Sequence, residues 1–320
     1  MSAAPTLPKR PLGSTGLQIT PLTIGGGVIG SMPGNFGYEV SAERGIATAV
    51  AALTGPINAL DTSNSYSRGE SERRIGEALR RVGGLPDGYV LSTKLDRDLD
   101  TGDFGGDRMR RSIEESLERL GLDRVPLLHL HDPEHISFVD AMAPGGPVEV
   151  LQQLREEGLA GAIGVAGGPV DLLRRFVATG VFDVVLTHNR WTLVNRAAGP
   201  LLDEATARGM GVVNAAVFGG GILASGAGSS TRYAYREARP ELLTAVRAIE
   251  QLCSGYGLPL AAAAVQFSTR DPRIATTVLG VSRPERIAES VELAALPIPR
   301  QLWSDVDDIA IRLGPEPSAD

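Results

Sequence analysis

Cysteine is almost absent from this sequence, with Cys253 the only one among 320 residues. A lone cysteine excludes an intrachain disulfide and a cysteine-based metal cluster, and it suits the reducing cytoplasm, where we expect the protein to reside. There is also no run of about eighteen apolar residues, and the N-terminal segment lacks the apolar core of a signal peptide. We therefore expect neither membrane insertion nor export.

Basic residues are fewer than acidic ones. Lys and Arg number 31 against 38 Asp and Glu, which gives a formal charge of −7 and a pI near 5.3. Nucleic-acid-binding proteins carry a basic surface, so this balance argues against a nucleic-acid partner. Aromatic residues make up only 5%, but the hydrophobic fraction of 42% is that of an ordinary soluble globular protein.

Short apolar runs rich in β-branched residues alternate with longer amphipathic stretches along most of the chain. This alternation is typical of a parallel sheet built from βα units. The expected strands span residues 22–25, 57–61, 89–94, 126–131, 162–166, 184–188, 211–217 and 276–280. The expected helices span residues 42–53, 70–82, 108–120, 148–157, 170–179, 199–208, 241–256 and 284–294. Eight such units predict an α/β fold, a (β/α)8 TIM barrel, as a single domain over residues 1–320.

The two ends of the chain are expected to lie outside these eight units. The segment RPLGSTGLQITPL predicts an N-terminal β-hairpin with its turn at Ser14, Thr15 and Gly16, which would cap the bottom of the barrel. The last residues, 314–320, read GPEPSAD and are expected to be a disordered tail.

Ionisable residues stand at the ends of consecutive predicted strands. Asp61 ends the second strand, Lys94 the third and His131 the fourth, and Tyr66 follows Asp61 by five residues. The strand ends of such a barrel converge on one cleft, so we expect these side chains to meet. An ammonium group beside a phenol favours the phenolate, a carboxylate keeps the ammonium charged, and a histidine can orient a carbonyl or relay a proton. The combination indicates a site that exchanges a proton with a carbonyl or alcohol oxygen.

The histidines of the fourth strand leave a second interpretation open. His129 lies on the same strand face as His131, and together with Asp61 they could bind a metal for hydrolase or isomerase chemistry. The H-x-H-x-x-x-H pattern that ends at His135 lacks the paired carboxylates of a complete metal motif. We therefore expect no metal, and interpret His129 as a structural neighbour of the site.

Several of these segments together resemble the aldo-keto reductase family, and the resemblance runs from about residue 10 to residue 292. It is carried by RPLGSTGLQITPLTIGGG, NALDTSNSYSRGESERRIGEAL, VLSTK and LLHLHDPE, in that order. Within the family, HDPE, RWTLVNRAAGPLLDEATARGMGVV and VFGGGILASG are most similar to the dehydrogenases of aldoses and of pyridoxal.

The resemblance implies an enzyme that interconverts a carbonyl group (aldehyde, aldose or ketone) and an alcohol by hydride transfer. The cofactor would be NADP(H) or NAD(H), with a slight preference for NADP(H). By the same resemblance Tyr66 is the general acid and base, Lys94 and Asp61 tune it, and His131 orients the substrate.

The resemblance also implies an extended dinucleotide that crosses the strand ends without a Rossmann fold. The phosphates would lie against Phe218, Gly219, Gly220, Gly221 and Leu223. The adenosine end would lie against Gly280, Ser282, Arg283, Arg286, Glu289 and Ser290. Because this sequence departs from the family around the nicotinamide, the ring would be held differently, by His188, Asn189 and Phe218.

Six positions depart from the family pattern. Gly280 replaces a Lys or Arg that grips the 2′-phosphate, and Ser290 replaces an adenine-contacting Asn. At the nicotinamide end the pair Ala166-Gly167 replaces Ser-Asn, His188 replaces Gln, and Ala215 replaces a stacking Tyr. These changes leave open a rival function, a dinucleotide-binding sensor or regulatory subunit with little turnover.

The predicted pocket loops carry mostly polar side chains. Asn35, Tyr38, Asn64 and Arg190 can form hydrogen bonds, and Trp191 follows the sixth strand closely enough to reach the pocket. We therefore expect a small, polar carbonyl or alcohol substrate.

Overall fold

The computed structural model describes residues 7–313, so the tail predicted at 314–320 lies outside the described residues. Its strands are β1 (Arg10–Pro11), β2 (Gln18–Ile19), β3 (Leu22–Gly25), β4 (Ala59–Asp61), β5 (Val90–Leu95), β6 (Val125–His131), β7 (Ala160–Gly167), β8 (Val184–His188), β9 (Gly211–Ala215), β10 (Arg232–Tyr233), β11 (Arg236–Glu237) and β12 (Thr276–Gly280).

The helices follow the strands in alternation, with short extra helices in the loops. They are α1 (Pro33–Phe36), α2 (Ala42–Thr54), α3 (Glu70–Val82), α4 (Gly106–Leu120), α5 (Phe138–Ala141), α6 (Pro147–Glu156), α7 (Val170–Ala178), α8 (Gly199–Ala207), α9 (Ile222–Ser225), α10 (Pro240–Gly255), α11 (Leu260–Thr269), α12 (Glu285–Ala295) and α13 (Arg300–Leu313). Single 3₁₀ turns lie at Pro133–His135 and Gly219–Gly221.

Eight strands close into a parallel barrel in the order β12-β3-β4-β5-β6-β7-β8-β9. This confirms the predicted (β/α)8 fold. The sequence places the end of β9 two residues too late, because Ala216 has a positive φ of 55° and turns the chain into the glycine-rich loop. Within residues 7–313, no helix combines the length and the apolar character that a membrane crossing requires.

The N-terminal hairpin β1–β2 closes the bottom of the barrel, as predicted. Leu12 and Ile19 are buried in the same cluster as the inward-facing side chains Leu127 and Val184. Gly13 has a φ of 56°, and a Cβ there would lie 2.2 Å from the Gly211 backbone nitrogen. Only glycine permits this approach. The barrel is therefore a packed core that opens at the carboxyl ends of its strands.

Helix α11 was not predicted, and it changes the outer layer. Leu260, Ala263, Ala264 and Phe267 are buried among α10, α12 and the barrel, so α11 is apolar on most sides and shows no amphipathic period. The helix expected at 241–256 exists as α10, but it packs on α11 and α13, one layer further out.

Candidate active site

Asp61, Lys94, Tyr66 and His131 meet at the carboxyl end of the barrel. Lys94 Nζ donates a hydrogen bond to Asp61 Oδ2 at 2.7 Å, to the Thr62 carbonyl at 2.5 Å and to Tyr66 Oη at 3.2 Å. The rings of Tyr66 and His131 meet edge to face, with centroids 5.7 Å apart. All four side chains line one cavity.

The loop after β4 aims Tyr66 back over Lys94. Residues Ser67, Arg68 and Gly69 all have positive φ, which reverses the chain into α3. Ser71, in the first turn of that helix, donates a hydrogen bond to the Gly26 carbonyl at 2.7 Å and accepts one from Thr62 Oγ1 at 2.8 Å. The Tyr66 loop is thus tied to both the barrel and the helix that follows it.

The buried charges stabilise each other. Burial works against the charged form of Lys94, but the Asp61 carboxylate and the Tyr66 hydroxyl outweigh it and raise the pKa of Lys94. Burial raises the pKa of Tyr66, and the Lys94 ammonium opposes this rise. The site therefore holds a protonated phenol beside a permanent positive charge, which is the arrangement needed to give a proton to an oxygen and to tolerate the resulting phenolate.

A carboxylate that was not predicted lies behind His131. Asp96 Oδ1 is 2.7 Å from His131 Nδ1, and Ser63 Oγ is 3.1 Å from the same nitrogen. Burial opposes protonation of His131, but Asp132 and Asp96 outweigh it and raise the pKa of His131. Burial also works against the charged form of Asp96, but His131 and the hydrogen bonds around it prevail and lower the pKa of Asp96.

His129 lies on the same strand face, one layer deeper. It is only 1% exposed, and burial lowers its pKa to about 3. A Cβ at Gly164 on the next strand would lie 2.3 Å from His129 Nδ1, so the imidazole occupies the space that a side chain would need there. Among the described residues, no cluster of three or more His, Cys, Asp or Glu side chains has the geometry to hold a metal ion.

The cavity has a volume of about 680 Å³ and runs from Tyr66 to the start of α12. This volume lies within the usual range of small-molecule sites. The residues predicted for cofactor or substrate that line it are Asn35, Tyr38, His188, Phe218, Gly220, Gly221, Gly280, Ser282 and Arg286.

Other predicted residues lie behind or beside the cavity wall. Asn64 points away from it, because its amide donates to the Ser112 carbonyl at 3.0 Å and accepts from Arg108 at 2.9 Å. Trp191 packs on Phe267 in the outer helical layer. Also outside the lining are Gly219, Leu223, Asn189, Arg190, Arg283, Glu289 and Ser290.

The glycine-rich stretch after β9 is built for a close approach. Gly220 and Gly221 have φ angles of 81° and 112°, and a Cβ at Gly221 would meet nothing within 4 Å. The wall here is therefore bare backbone facing open space, which fits the phosphates of a dinucleotide. At Gly219 a Cβ would lie 2.4 Å from the Tyr233 ring, so this glycine lets the hairpin β10–β11 pack under the loop.

Two small residues occupy the positions at which the family has its carboxamide-holding Ser-Asn pair. Ala166 and Gly167 line the cavity without polar side-chain atoms, and His188 stands beside them. A Cβ at Gly167 would lie 3.0 Å from Glu134 Oε2, so the Glu134 carboxylate stands behind this wall. Burial lowers the pKa of His188 to about 4, which keeps its imidazole neutral.

Sequence reasoning missed several residues around the cavity. Phe36 and Tyr235 contact each other edge to face, with ring centroids 6.4 Å apart. They belong to segments that are far apart in sequence, so no local pattern indicates the pairing. Asp132 lines the cavity, and its Oδ1 lies 3.6 Å from His131 Nε2. Asp132 directly follows the strand predicted at 126–131, and Asp96 lies two residues after the strand predicted at 89–94. A polar residue close behind a strand end was therefore the available signal for both.

Known proteins resemble this chain along nearly all of its length. Residues 21–311 match the model of the Aldo/keto reductase family. A D-threo-aldose 1-dehydrogenase from a Pseudomonas species is 34% identical over 95% of this chain and 97% of the relative. An L-galactose dehydrogenase from Arabidopsis thaliana is 31% identical over 94% and 93%, and a pyridoxal 4-dehydrogenase from Microbacterium luteolum is 28% identical over 92% and 95%.

These relatives confirm the expected resemblance to aldose and pyridoxal dehydrogenases. The family and these dehydrogenase relatives imply a nicotinamide dinucleotide as cofactor. The chain therefore belongs to the aldo/keto reductase family and is an NAD(P)-dependent oxidoreductase that interconverts carbonyl and alcohol groups.

Proposed function

We propose that Tyr66 exchanges the proton with the substrate oxygen in this reaction. The observation that supports it is the hydrogen bond of 3.2 Å between Lys94 Nζ and Tyr66 Oη at the floor of the cavity. In the reducing direction the Tyr66 hydroxyl donates its proton to the oxygen as the carbonyl carbon gains a hydride. In the oxidising direction the phenolate, stabilised by Lys94, accepts the proton of the alcohol.

Asp61 acts on this step through Lys94. Its Oδ2 holds the ammonium at 2.7 Å, and its Oδ1 accepts a bond from Ser92 Oγ at 2.7 Å, so the carboxylate cannot turn away. His131 faces the same part of the cavity and orients the substrate oxygen with Nε2. The positive charge beside the phenol stabilises the phenolate more strongly here than it would in water, because the site is buried.

We propose that the dinucleotide lies along the cavity with its phosphates at Gly220 and Gly221. The nicotinamide would lie near His188 and Phe218, and its reduced form would supply the hydride when bound. The adenosine end would lie near Ser282 and Arg286, at the N-terminus of α12, where the helix dipole favours an anion.

The choice between NADP(H) and NAD(H) rests on the adenosine end. Arg283 and Arg286 provide two guanidinium groups, which supports a slight preference for NADP(H). Glu289 pairs with both, at 3.1 Å and 3.3 Å, so a 2′-phosphate must compete with that carboxylate. We therefore propose that the preference for NADP(H) is weak and that NAD(H) is also accepted.

The proposed substrate is a small polar aldehyde or an aldose. Asn35, Tyr38 and Asp132 line the cavity and offer hydrogen-bonding groups for hydroxyls. The names of two relatives, an aldose dehydrogenase and a galactose dehydrogenase, support this class. A single domain over residues 1–320 and a cytoplasmic location likewise stay proposals, the second supported by the lone buried Cys253.

The test is turnover, followed by nicotinamide absorbance, over a panel of aldoses, aldehydes and pyridoxal with each nicotinamide form. Tyr66→Phe should lower kcat by roughly 10² to 10⁴-fold while the dinucleotide still binds. Tyr89→Phe is the matched control, because the Tyr89 hydroxyl is buried against the Ala52 carbonyl, away from the cavity. Equal rates for the two variants would refute the role of Tyr66. Tight dinucleotide binding without turnover of any panel member by the native protein would favour the sensor alternative.

A further inference from the structure

Three hydrogen-bonding groups hold the Asp96 carboxylate. It lies immediately after β5 and is 5% exposed. Besides His131, its carboxylate accepts a bond from the Ser63 hydroxyl and one from the Ser65 backbone N–H at 2.9 Å. Its own backbone N–H donates to Ser112 Oγ at 3.0 Å. The carboxylate therefore cannot rotate without breaking several buried hydrogen bonds.

This placement decides which nitrogen of His131 carries a proton. A carboxylate accepts and does not donate, so the 2.7 Å contact with Asp96 requires a proton on Nδ1. Nε2 is then the ring nitrogen left for the cavity, where it lies 3.6 Å from Asp132 Oδ1. The imidazole and the Tyr66 ring meet edge to face, and both side chains line the same cavity.

The charges around His131 favour the imidazolium. Asp132 and Asp96 favour its protonation, whereas burial and Lys94 oppose it. The neighbouring imidazoles of His129 and His188 have pKa values of about 3 and about 4, so they stay neutral near pH 7. Seven titratable groups interact electrostatically with His131: Asp96, Asp132, Lys94, His129, Glu134, His135 and His188.

We propose that Asp96 is a positioning residue that holds His131 as a charged, correctly oriented donor to the substrate oxygen. The proposal rests on the proposed function of Tyr66 and His131. In the reducing direction the new C–H bond forms with the hydride of the cofactor, and the O–H proton comes from Tyr66. His131 keeps both of its protons and contributes a hydrogen bond through Nε2, which stabilises the negative charge that develops on the oxygen. Asp96 is not among the residues that line the cavity, and it acts on the reaction through His131.

The test compares Asp96→Asn with Asp100→Asn. Asp100 lies on the same loop, is exposed and pairs with Arg68, so its variant removes the same charge without touching His131. Asp96→Asn should lower kcat/KM for reduction by roughly 10²-fold, while the dinucleotide Kd stays within about twofold. Its alkaline limb of kcat/KM should shift to lower pH, because His131 loses its proton earlier. Asp100→Asn should leave rate and pH profile unchanged.

A double variant separates positioning from general loss of structure. If Asp96 acts through His131, then Asp96→Asn combined with His131→Gln should be no slower than His131→Gln alone. Fully additive losses, or an unshifted pH profile in Asp96→Asn, would overturn the proposal.

Nitrogen NMR of the native protein provides a readout that needs neither turnover nor a folded variant. The His131 ring should show a protonated Nδ1 and a titration midpoint above that of a free histidine. A bare Nδ1 at neutral pH would overturn the proposal. If the native protein reduces no carbonyl, the proposed function fails, and the NMR result still decides the state of His131.

Discussion

The Lys94 ammonium lies 2.7 Å from the Asp61 carboxylate, and neither side chain is more than 7% exposed. A buried ion pair costs most when only one partner is removed, because the other is left charged and unpaired. We expect Asp61→Asn to lower the free energy of unfolding by about 3 kcal/mol.

The double variant Asp61→Asn, Lys94→Met should lose less stability than the sum of the two single variants. Urea unfolding at pH 7 measures all three proteins. Losses that simply add would mean that the two side chains do not depend on each other.

Asn64 supports the Tyr66 loop and does not line the cavity. Its amide bonds to the Ser112 carbonyl, and its oxygen accepts from Arg108. Asn64→Ala should therefore lower the free energy of unfolding by about 1–3 kcal/mol, because buried partners are left unsatisfied. The substrate KM should stay within about twofold of the native value. A large rise in KM with native stability would restore Asn64 as a substrate contact.

In the proposed cofactor complex, Glu289 would compete with a 2′-phosphate for two arginines. It lies 3.1 Å from Arg283 and 3.3 Å from Arg286. Glu289→Gln should raise the ratio of kcat/KM for NADP(H) over NAD(H) by about fivefold at low salt, since it frees both guanidinium groups. Glu285→Gln is the control, because Glu285 is 3.9 Å from Arg283 and mostly exposed. If Glu289→Gln leaves the ratio of kcat/KM for NADP(H) over NAD(H) unchanged, the 2′-phosphate does not bind beside Arg283 and Arg286.

His129 should make the fold less stable in acid. Burial lowers its folded-state pKa to about 3, below the value of about 6.5 in an unfolded chain. As pH falls from about 6.5, the unfolded chain binds a proton that the folded protein refuses, so each pH unit costs about 1.4 kcal/mol until the folded pKa is reached. His188, with a pKa of about 4, adds a second contribution of the same sign.

The measurement is thermal unfolding between pH 7 and pH 4 in the absence of cofactor. His129→Gln should show a shallower fall of Tm than the native protein. His135→Gln serves as the control, because the His135 side chain is exposed. Parallel curves for native protein and His129→Gln would contradict the expected linkage.

Much of the architecture was predictable because the signals are local. A strand buried on both faces must be apolar, and the polar residue that ends it must stand at the cavity. This is why the positions of Asp61, Lys94 and His131 in the sequence predicted that the three side chains would share one cavity. The sequence pattern did not predict helix α11, because this helix is covered on several sides and lacks the one-sided apolar pattern of a surface helix. The contact of Phe36 with Tyr235 joins loops that are far apart in sequence, which no local pattern encodes.

The order of the βα units and the strand ends that carry ionisable side chains follow from the local sequence, since alternation and turn chemistry act over a few residues. Which side chains face the cavity depends on contacts between segments that are far apart in the chain. Asn64 and Tyr66 are two residues apart, yet one is drawn to α4 by buried hydrogen bonds and the other is turned over Lys94 by a left-handed turn. Asp96 lies behind His131 because β5, which precedes Asp96, pairs with β6, which ends at His131. Long-range packing determines such pairs of residues. A buried charge is stable only beside a counter-charge or hydrogen-bonding group, and that partner can come from a distant part of the chain.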